Sequence, residues 1–270
     1  MNAHLFPAQK SIPAAPYLGG KRNLAKRICA IIDKVPHTLY AEPFVGMGGI
    51  FLRRHLRPKS EVINDYGRDV ANLFRILQRH YPQFLEVLRF QLTTRTEFNR
   101  LAATNPDTLT DLERAARFLY LQRTAFGGKV SGQSFGVSKD RSGRFNLTTL
   151  EPLLEDLHSR LSGVVIECLD YSAFIDRYDG AGTLFYLDPP YFGCETDYGK
   201  AVFERADFAR MAQQLADIKG RFLMSINDVP EIRAVFDGFR IEAVKTTYSV
   251  GTNRKDRDKA GELLIRNFVR

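Results

Sequence analysis

The stretch Thr-Leu-Phe-Tyr-Leu-Asp-Pro-Pro-Tyr-Phe at residues 183–192 constrains this chain more than any other. Residues 184–187 are apolar and of strand length, which reads as a buried strand. Pro189 and Pro190 lack the amide proton that a sheet ladder needs, so the strand ends at Asp188. Asp188, Tyr191 and Phe192 are thereby expected on the loop at a strand's carboxyl end, where open α/β sheets carry their ligands. Taken alone, the same residues also suit a proline turn with a capping acid and aromatics folded onto the core. The neighbouring segments decide between the two.

Upstream, Asn23 is placed to cap a helix carrying Leu24, Ile28 and Ile31 on one face. Residues 39–42 read as a strand feeding Glu42-Pro43-Phe44-Val45-Gly46-Met47-Gly48-Gly49, with a helix opening on Ile50, Phe51 and Leu52. A second strand, 61–65, ends on Asp65 and leads into a helix over 68–77. Between 79 and 161 the strand signals vanish. Helices over 81–92, 96–103, 110–125 and 150–161 flank a long loop rich in Gly, Ser, Lys and Arg. Strands then resume at 164–168, 184–187, 222–225, 240–244 and 262–268, with helices after Asp170 and over 208–218. The pattern predicts an α/β fold with a doubly wound, Rossmann-like sheet. Residues 1–78 and 162–270 build that domain, and a mainly helical insert occupies 79–161.

A formal charge of +8 points to a polyanionic partner. Cys29, Cys168 and Cys194 are too dispersed for a metal cluster or a disulfide framework, so no metal and a reducing, cytoplasmic compartment are expected. No apolar run reaches membrane-spanning length, and no membrane partner is expected.

Gly46 and Gly48, between a strand and a helix, allow a ligand close to the backbone. The turn lacks the spacing of a dinucleotide fingerprint and the Lys-Ser/Thr of a phosphate loop. Asp65, on the following strand end, suits ribose hydroxyls. Asp170 suits an adenine amino group or, equally, a helix cap, and Tyr171 offers a stacking face. Lys21, after two glycines, suits a ligand carboxylate. A nucleoside with a small polar tail fits this set: S-adenosylmethionine.

Tyr17-Leu18-Gly19-Gly20-Lys21, Glu42-Pro43-Phe44-Val45-Gly46-Met47-Gly48, Asp65, Asp170-Tyr171 and Asp188-Pro189-Pro190-Tyr191 occur in this order. From Tyr17 onward the chain closely resembles the Dam-like family of DNA adenine methyltransferases. Phe118-Leu119-Tyr120-Leu121-Gln122-Arg123 and Glu262-Leu263-Leu264-Ile265 share the likeness. The resemblance implies methyl transfer from S-adenosylmethionine to the 6-amino group of adenine in double-stranded DNA, by a monomer, with the base flipped out. It implies catalysis by Asp188, Pro189, Pro190 and Tyr191. It implies cofactor contacts from Tyr17, Lys21, Glu42, Phe44, Gly46, Gly48, Asp65, Asp170, Tyr171 and Asp188, with 79–161 as target-recognition insert.

Candidate DNA contacts are Gln122, Arg123, Lys129, Gln133, Lys139, Arg141 and Arg144 in the insert, and Arg254, Lys255 and Arg257 in a late basic loop. Two departures stand out. The family often has Asn where this chain has Gly67, and a Gly-Phe/Tyr-Asn run where this chain has Ala125-Phe126-Gly127-Gly128. The second leaves the target sequence open. Rival readings are the same chemistry on RNA adenine, cytosine or a glutamine amide, and a non-catalytic module binding cofactor or DNA.

Overall fold

A central strand buried on both faces organises the computed structural model, which describes residues 5–17, 19–128, 132–136, 142–195, 203–246 and 260–269. Among these residues the main sheet has seven strands: β1 (Leu39–Glu42), β2 (Ser60–Asn64), β3 (Val165–Glu167), β4 (Thr183–Leu187), β5 (Arg221–Asn227), β6 (Arg240–Thr246) and β7 (Ala260–Arg266). Their order is β3-β2-β1-β4-β5-β7-β6. Strands β1 to β5 pair in parallel, and β7 runs antiparallel between β5 and β6. The order reverses between β1 and β4, so their carboxyl ends border the switch-point crevice of a doubly wound sheet. Every residue of β4 is buried, as a centrally placed parallel strand requires.

Side chains alternate between two cores. Tyr40, Ile63, Leu184 and Tyr186 pack on one face, and Ala41, Val62, Phe185 and Leu187 on the other. Helices α1 (Ala25–Ile32) and α2 (Arg68–Arg79) belong to the first face. Four more follow α2: α3 (Tyr81–Arg89), α4 (Arg95–Ala103), α5 (Asp111–Thr124) and α6 (Leu147–Arg160). Helix α5 starts on a Thr110–Glu113 capping box and packs on α2, α3 and α4. The apolar core of these helices is continuous with the sheet face beneath. Glu61 on β2 adds a buried ionic tie, 2.7 Å from Arg160 of α6 and 3.0 Å from Arg54. The second face carries α7 (Tyr171–Tyr178), α8 (Arg205–Asp217) and α9 (Pro230–Val235). No helix among the described residues is long and apolar enough to cross a membrane.

Local expectations needed correction at several points. The helix after the glycine turn shrinks to one 3-10 turn, Phe51–Arg53, because Arg54 is already extended. That turn lets Leu56–Arg57 pair with Phe6–Pro7, a ribbon too short to have a sequence signal. Leu24, not Asn23, holds the N-cap position of α1, with no side-chain cap. Helix α6 begins at Leu147 because the Asn146 side chain accepts from the Thr148 amide, and it continues through Pro152.

Candidate active site

Asp188 leaves β4 next to the end of β1, and the loop behind it is pinned by mimicry of a strand. The Phe192 amide donates to Asn227 Oδ1 at 3.0 Å, and Asn227 Nδ2 returns a bond to the Phe192 carbonyl at 3.0 Å. The Phe192 ring packs against Phe208 with Arg205 above it, so Phe192 anchors the loop. Asp188 and Tyr191 are left facing inward. Asp188 Oδ1 accepts from Lys21 Nζ at 2.8 Å and from the Ser225 hydroxyl at 3.3 Å. Lys21 Nζ also donates to the Tyr191 hydroxyl at 2.6 Å and lies 3.2 Å from Glu262 Oε1. Lys21 was expected to meet a ligand carboxylate. Its ammonium lines the cavity and holds two acids of the protein, Asp188 and Glu262.

The glycine turn sits on the other side of the crevice. Gly46 and Gly48 have φ of 49° and 76°, in the left-handed region that side chains resist. A Cβ on Gly48 would also lie 2.8 Å from the Leu52 side chain. Asp65 locks this turn, because its Oδ2 accepts from the Gly46 amide at 2.9 Å and its Oδ1 from the Gly67 amide at 2.8 Å. Gly67 is explained by the same contact, since a Cβ there would stand 2.8 Å from Asp65 Oδ1. Asn64 stitches the ends of the first three strands, donating to the Pro43 and Leu169 carbonyls and accepting from the Leu169 amide. Asp170 caps α7 through the Ser172 amide at 2.9 Å. Tyr171 stacks on Phe44 with centroids 5.6 Å apart, and Phe203 closes the aromatic wall.

Most of these parts line a single cavity of about 1330 Å³, while Gly48 and Pro189, also expected in the site, are not among its lining residues. Tyr17, Lys21, Glu42, Phe44, Gly46 and Asp65 reach it, as do Asp170, Tyr171, Asp188, Pro190 and Tyr191. Its lining includes the acids Glu42, Asp65, Asp69, Asp170, Asp188 and Glu262, of which Asp188 and Glu262 hold the buried Lys21 ammonium. That donor set fits S-adenosylmethionine. The Asp65 oxygens suit ribose hydroxyls, and the Phe44–Tyr171 stack gives a purine a flat apolar face.

Burial shapes the protonation of this wall. Glu42 is pushed up to about 8, chiefly by burial, opposed by the Tyr40 hydroxyl at 2.7 Å and reinforced by the charge of Asp188. Glu262 is pushed up to about 7 by burial, against the pull of Lys21. Burial also raises Asp188, while Lys21 works to keep it ionised. Between its ordinary 4.5 and about 8, folded Glu42 keeps a proton that the unfolded chain has released. Its contribution to stability is therefore full at low pH and is lost as pH rises through that window. The melting temperature is expected to fall from about pH 5 to about pH 8.5, and Glu42→Gln, neutral throughout, to flatten the fall by a few degrees. Equal slopes in both proteins would refute the assignment.

The expected DNA contacts divide. Gln122 is a correction: it is fully buried and falls on the inward stripe of α5 with Ala115, Phe118 and Leu119. There it accepts from Gln133 Nε2 at 2.5 Å and reaches the Pro16 carbonyl, so it shapes loops and has no open face for a base. Arg123 is tied to the backbone carbonyls of Arg144 (2.9 Å) and Ala14, while Arg144 is exposed and both line the cavity. Lys129, Lys139, Arg141, Arg254, Lys255 and Arg257 lie outside the described residues. Sequence reasoning missed Glu262, Ser225, Asn64, Asn227 and Phe203 as site parts. An acid opening the apolar run 262–265 was the signal available for Glu262. The others carry none, because their roles depend on strand register.

Comparison with known proteins agrees with this geometry. The family model described as D12 class N6 adenine-specific DNA methyltransferase matches residues 17–250. The type II methyltransferase M1.LlaDCHI of Lactococcus lactis subsp. cremoris is 26% identical over 275 residues, spanning 95% of either chain. The type II methyltransferase M.CviBI of Paramecium bursaria Chlorella virus NC1A is 24% identical, over 84% of this chain and 87% of its own. The DNA adenine methylase of Haemophilus influenzae is 26% identical, over 96% of this chain and 95% of its own. With that match spanning residues 17–250, most of the chain, the chain belongs to the D12 class of N6 adenine-specific DNA methyltransferases.

Proposed function

We propose that this methyltransferase uses S-adenosylmethionine and modifies an adenine turned out of duplex DNA, with Asp188 and Tyr191 as the residues that present the amino group. The observation that carries the reading is that Asp188 and Tyr191 share one cavity with Asp65, Glu42 and the glycine turn. Glu42, Asp65, Phe44 and Tyr171 would hold the cofactor. When bound, it supplies an electrophilic methyl group on a sulfonium.

The chemical obstacle lies in the acceptor. The lone pair of an adenine amino nitrogen is delocalised into the ring. Asp188 accepts one amino hydrogen and the Pro189 carbonyl the other, which draws the nitrogen toward tetrahedral geometry and frees the lone pair. The Asp188 carboxylate also answers the positive charge that develops on nitrogen. Tyr191 gives the base a stacking partner outside the helix. Pro190 has no amide proton and a fixed φ, so the turn that aims Asp188 is stiff. Residues 79–161 act as the target-recognition unit, with Arg144 exposed at the cavity rim and a chain charge of +8 favouring phosphates.

Incubation with duplex DNA and labelled S-adenosylmethionine, followed by mass spectrometry of nucleosides, is expected to give 6-methyladenine. Another methylated base would support the rival amino acceptors, and no product a non-catalytic module. Duplex affinity is expected to fall log-linearly with salt. A salt-independent affinity would remove the basic insert from the reading.

A further inference from the structure

Lys21 is 4% exposed and Glu262 is fully buried, so neither charge is answered by bulk water. Glu262 sits on β7 in register with Asn227 of β5, the residue that pins the catalytic loop. Its position is therefore set by the sheet rather than by a loop. From there its Oε1 holds Lys21 Nζ at 3.2 Å, while the same ammonium contacts Asp188 at 2.8 Å and Tyr191 at 2.6 Å.

A cation so close to Asp188 has two opposed effects. It keeps the carboxylate ionised and fixes its rotamer together with that of Tyr191. It also repels positive charge developing on a nitrogen bonded to that carboxylate. A second carboxylate on the same ammonium offsets the repulsion and keeps the orientation. Glu42 and Tyr40 from β1, Tyr186 from β4 and Ser225 from β5 add to the polar surroundings.

We propose that Glu262 is a positioning residue for methyl transfer: acting through Lys21, it sets the orientation and net charge that Asp188 and Tyr191 present to the amino group, without touching substrate. The inference rests on Asp188 being the acceptor of the amino hydrogen.

A double-mutant cycle tests it, comparing Glu262→Gln, Lys21→Met and the double variant by single-turnover methylation, cofactor calorimetry and melting. Glu262→Gln is expected to slow the methylation step roughly 50-fold, with cofactor Kd changed less than about threefold. In the Lys21→Met background the same substitution should alter the rate less than about threefold, because its route is gone. Equal losses in both backgrounds overturn the proposal, as does a loss matched by weaker cofactor binding. The pH profile gives a second reading, since the active form has Glu262 ionised. The wild-type rate is expected to rise through about pH 7 and to lose that step in Glu262→Gln, and an unchanged step overturns the proposal. If Glu262→Gln fails to fold, Glu262→Asp keeps the charge one methylene shorter, and its smaller loss should vanish with Lys21→Met. Asp188→Ala is measured alongside. If it retains turnover, the reading of Asp188 fails; if it is inactive and the cycle is additive, only the role of Glu262 fails.

Discussion

Asp188→Ala is expected to lower the methylation rate by about 10³-fold or more while leaving S-adenosylmethionine affinity within a few-fold of wild type. The size follows from what the carboxylate does alone. In the proposed mechanism it is the anionic acceptor at the end of β4, and the Pro189 carbonyl that would remain is a neutral dipole. Cofactor affinity should survive because the groups assigned to the ribose and purine, Asp65, Phe44 and Tyr171, stand on other elements. The fold should survive as well. Without Asp188, Lys21 keeps Glu262 at 3.2 Å and the Tyr191 hydroxyl, so no ammonium is stranded. Deleting a carboxylate whose ionisation burial opposes is not expected to lower the melting temperature. Asp188→Asn refines the test. The amide keeps the shape and one acceptor oxygen but loses the charge that answers a developing ammonium. A loss close to that of alanine assigns the role to charge, and a much smaller one to geometry. Turnover near wild type in Asp188→Ala would sink the catalytic assignment.

Much of this arrangement is legible in the sequence because its causes are local. An apolar run closed by two prolines can end only at Asp188, and Thr110 three residues before Glu113 announces the start of α5. Acids at strand ends are legible for the same reason, and Asp65, Asp170 and Asp188 all reach one cavity. The illegible part is set by register and by inward faces. Lys21 and Glu262 meet because β7 inserts antiparallel between β5 and β6, which no local pattern encodes. Gln122 has the chemistry of a base reader, yet the helical period turns it into the core. Asn227 replaces backbone partners for Phe192 only because β5 ends level with that loop. The short turn after Gly49 was misread because three apolar residues in a row fit a helix start as well as a buried 3-10 turn.

Asp65→Ala is expected to give the opposite kinetic signature, raising the cofactor Kd about 100-fold while much of the turnover returns at saturating S-adenosylmethionine. Two losses combine. The carboxylate that faces the cavity from the end of β2 is the acceptor assigned to ribose hydroxyls, and a buried charge-assisted hydrogen bond is worth about 1.5–3 kcal/mol. The same carboxylate organises the turn, since each oxygen already takes a backbone amide, Gly46 at 2.9 Å and Gly67 at 2.8 Å. Alanine leaves both amides without that acceptor and frees a turn whose Gly46 and Gly48 conformations only glycine adopts readily. Asp65→Asn should do little better, because its NH2 group must face one of the two amides as donor against donor. Burial pushes Asp65 up to about 6 against the pull of those amides, so wild-type cofactor affinity should weaken as pH falls through that value, and the alanine variant should lose this dependence. Calorimetric titration across about pH 5 to 8 reads both effects. An unchanged Kd in Asp65→Ala would move the ribose site away from β2, and with it the reason for the glycine turn to be locked where it is.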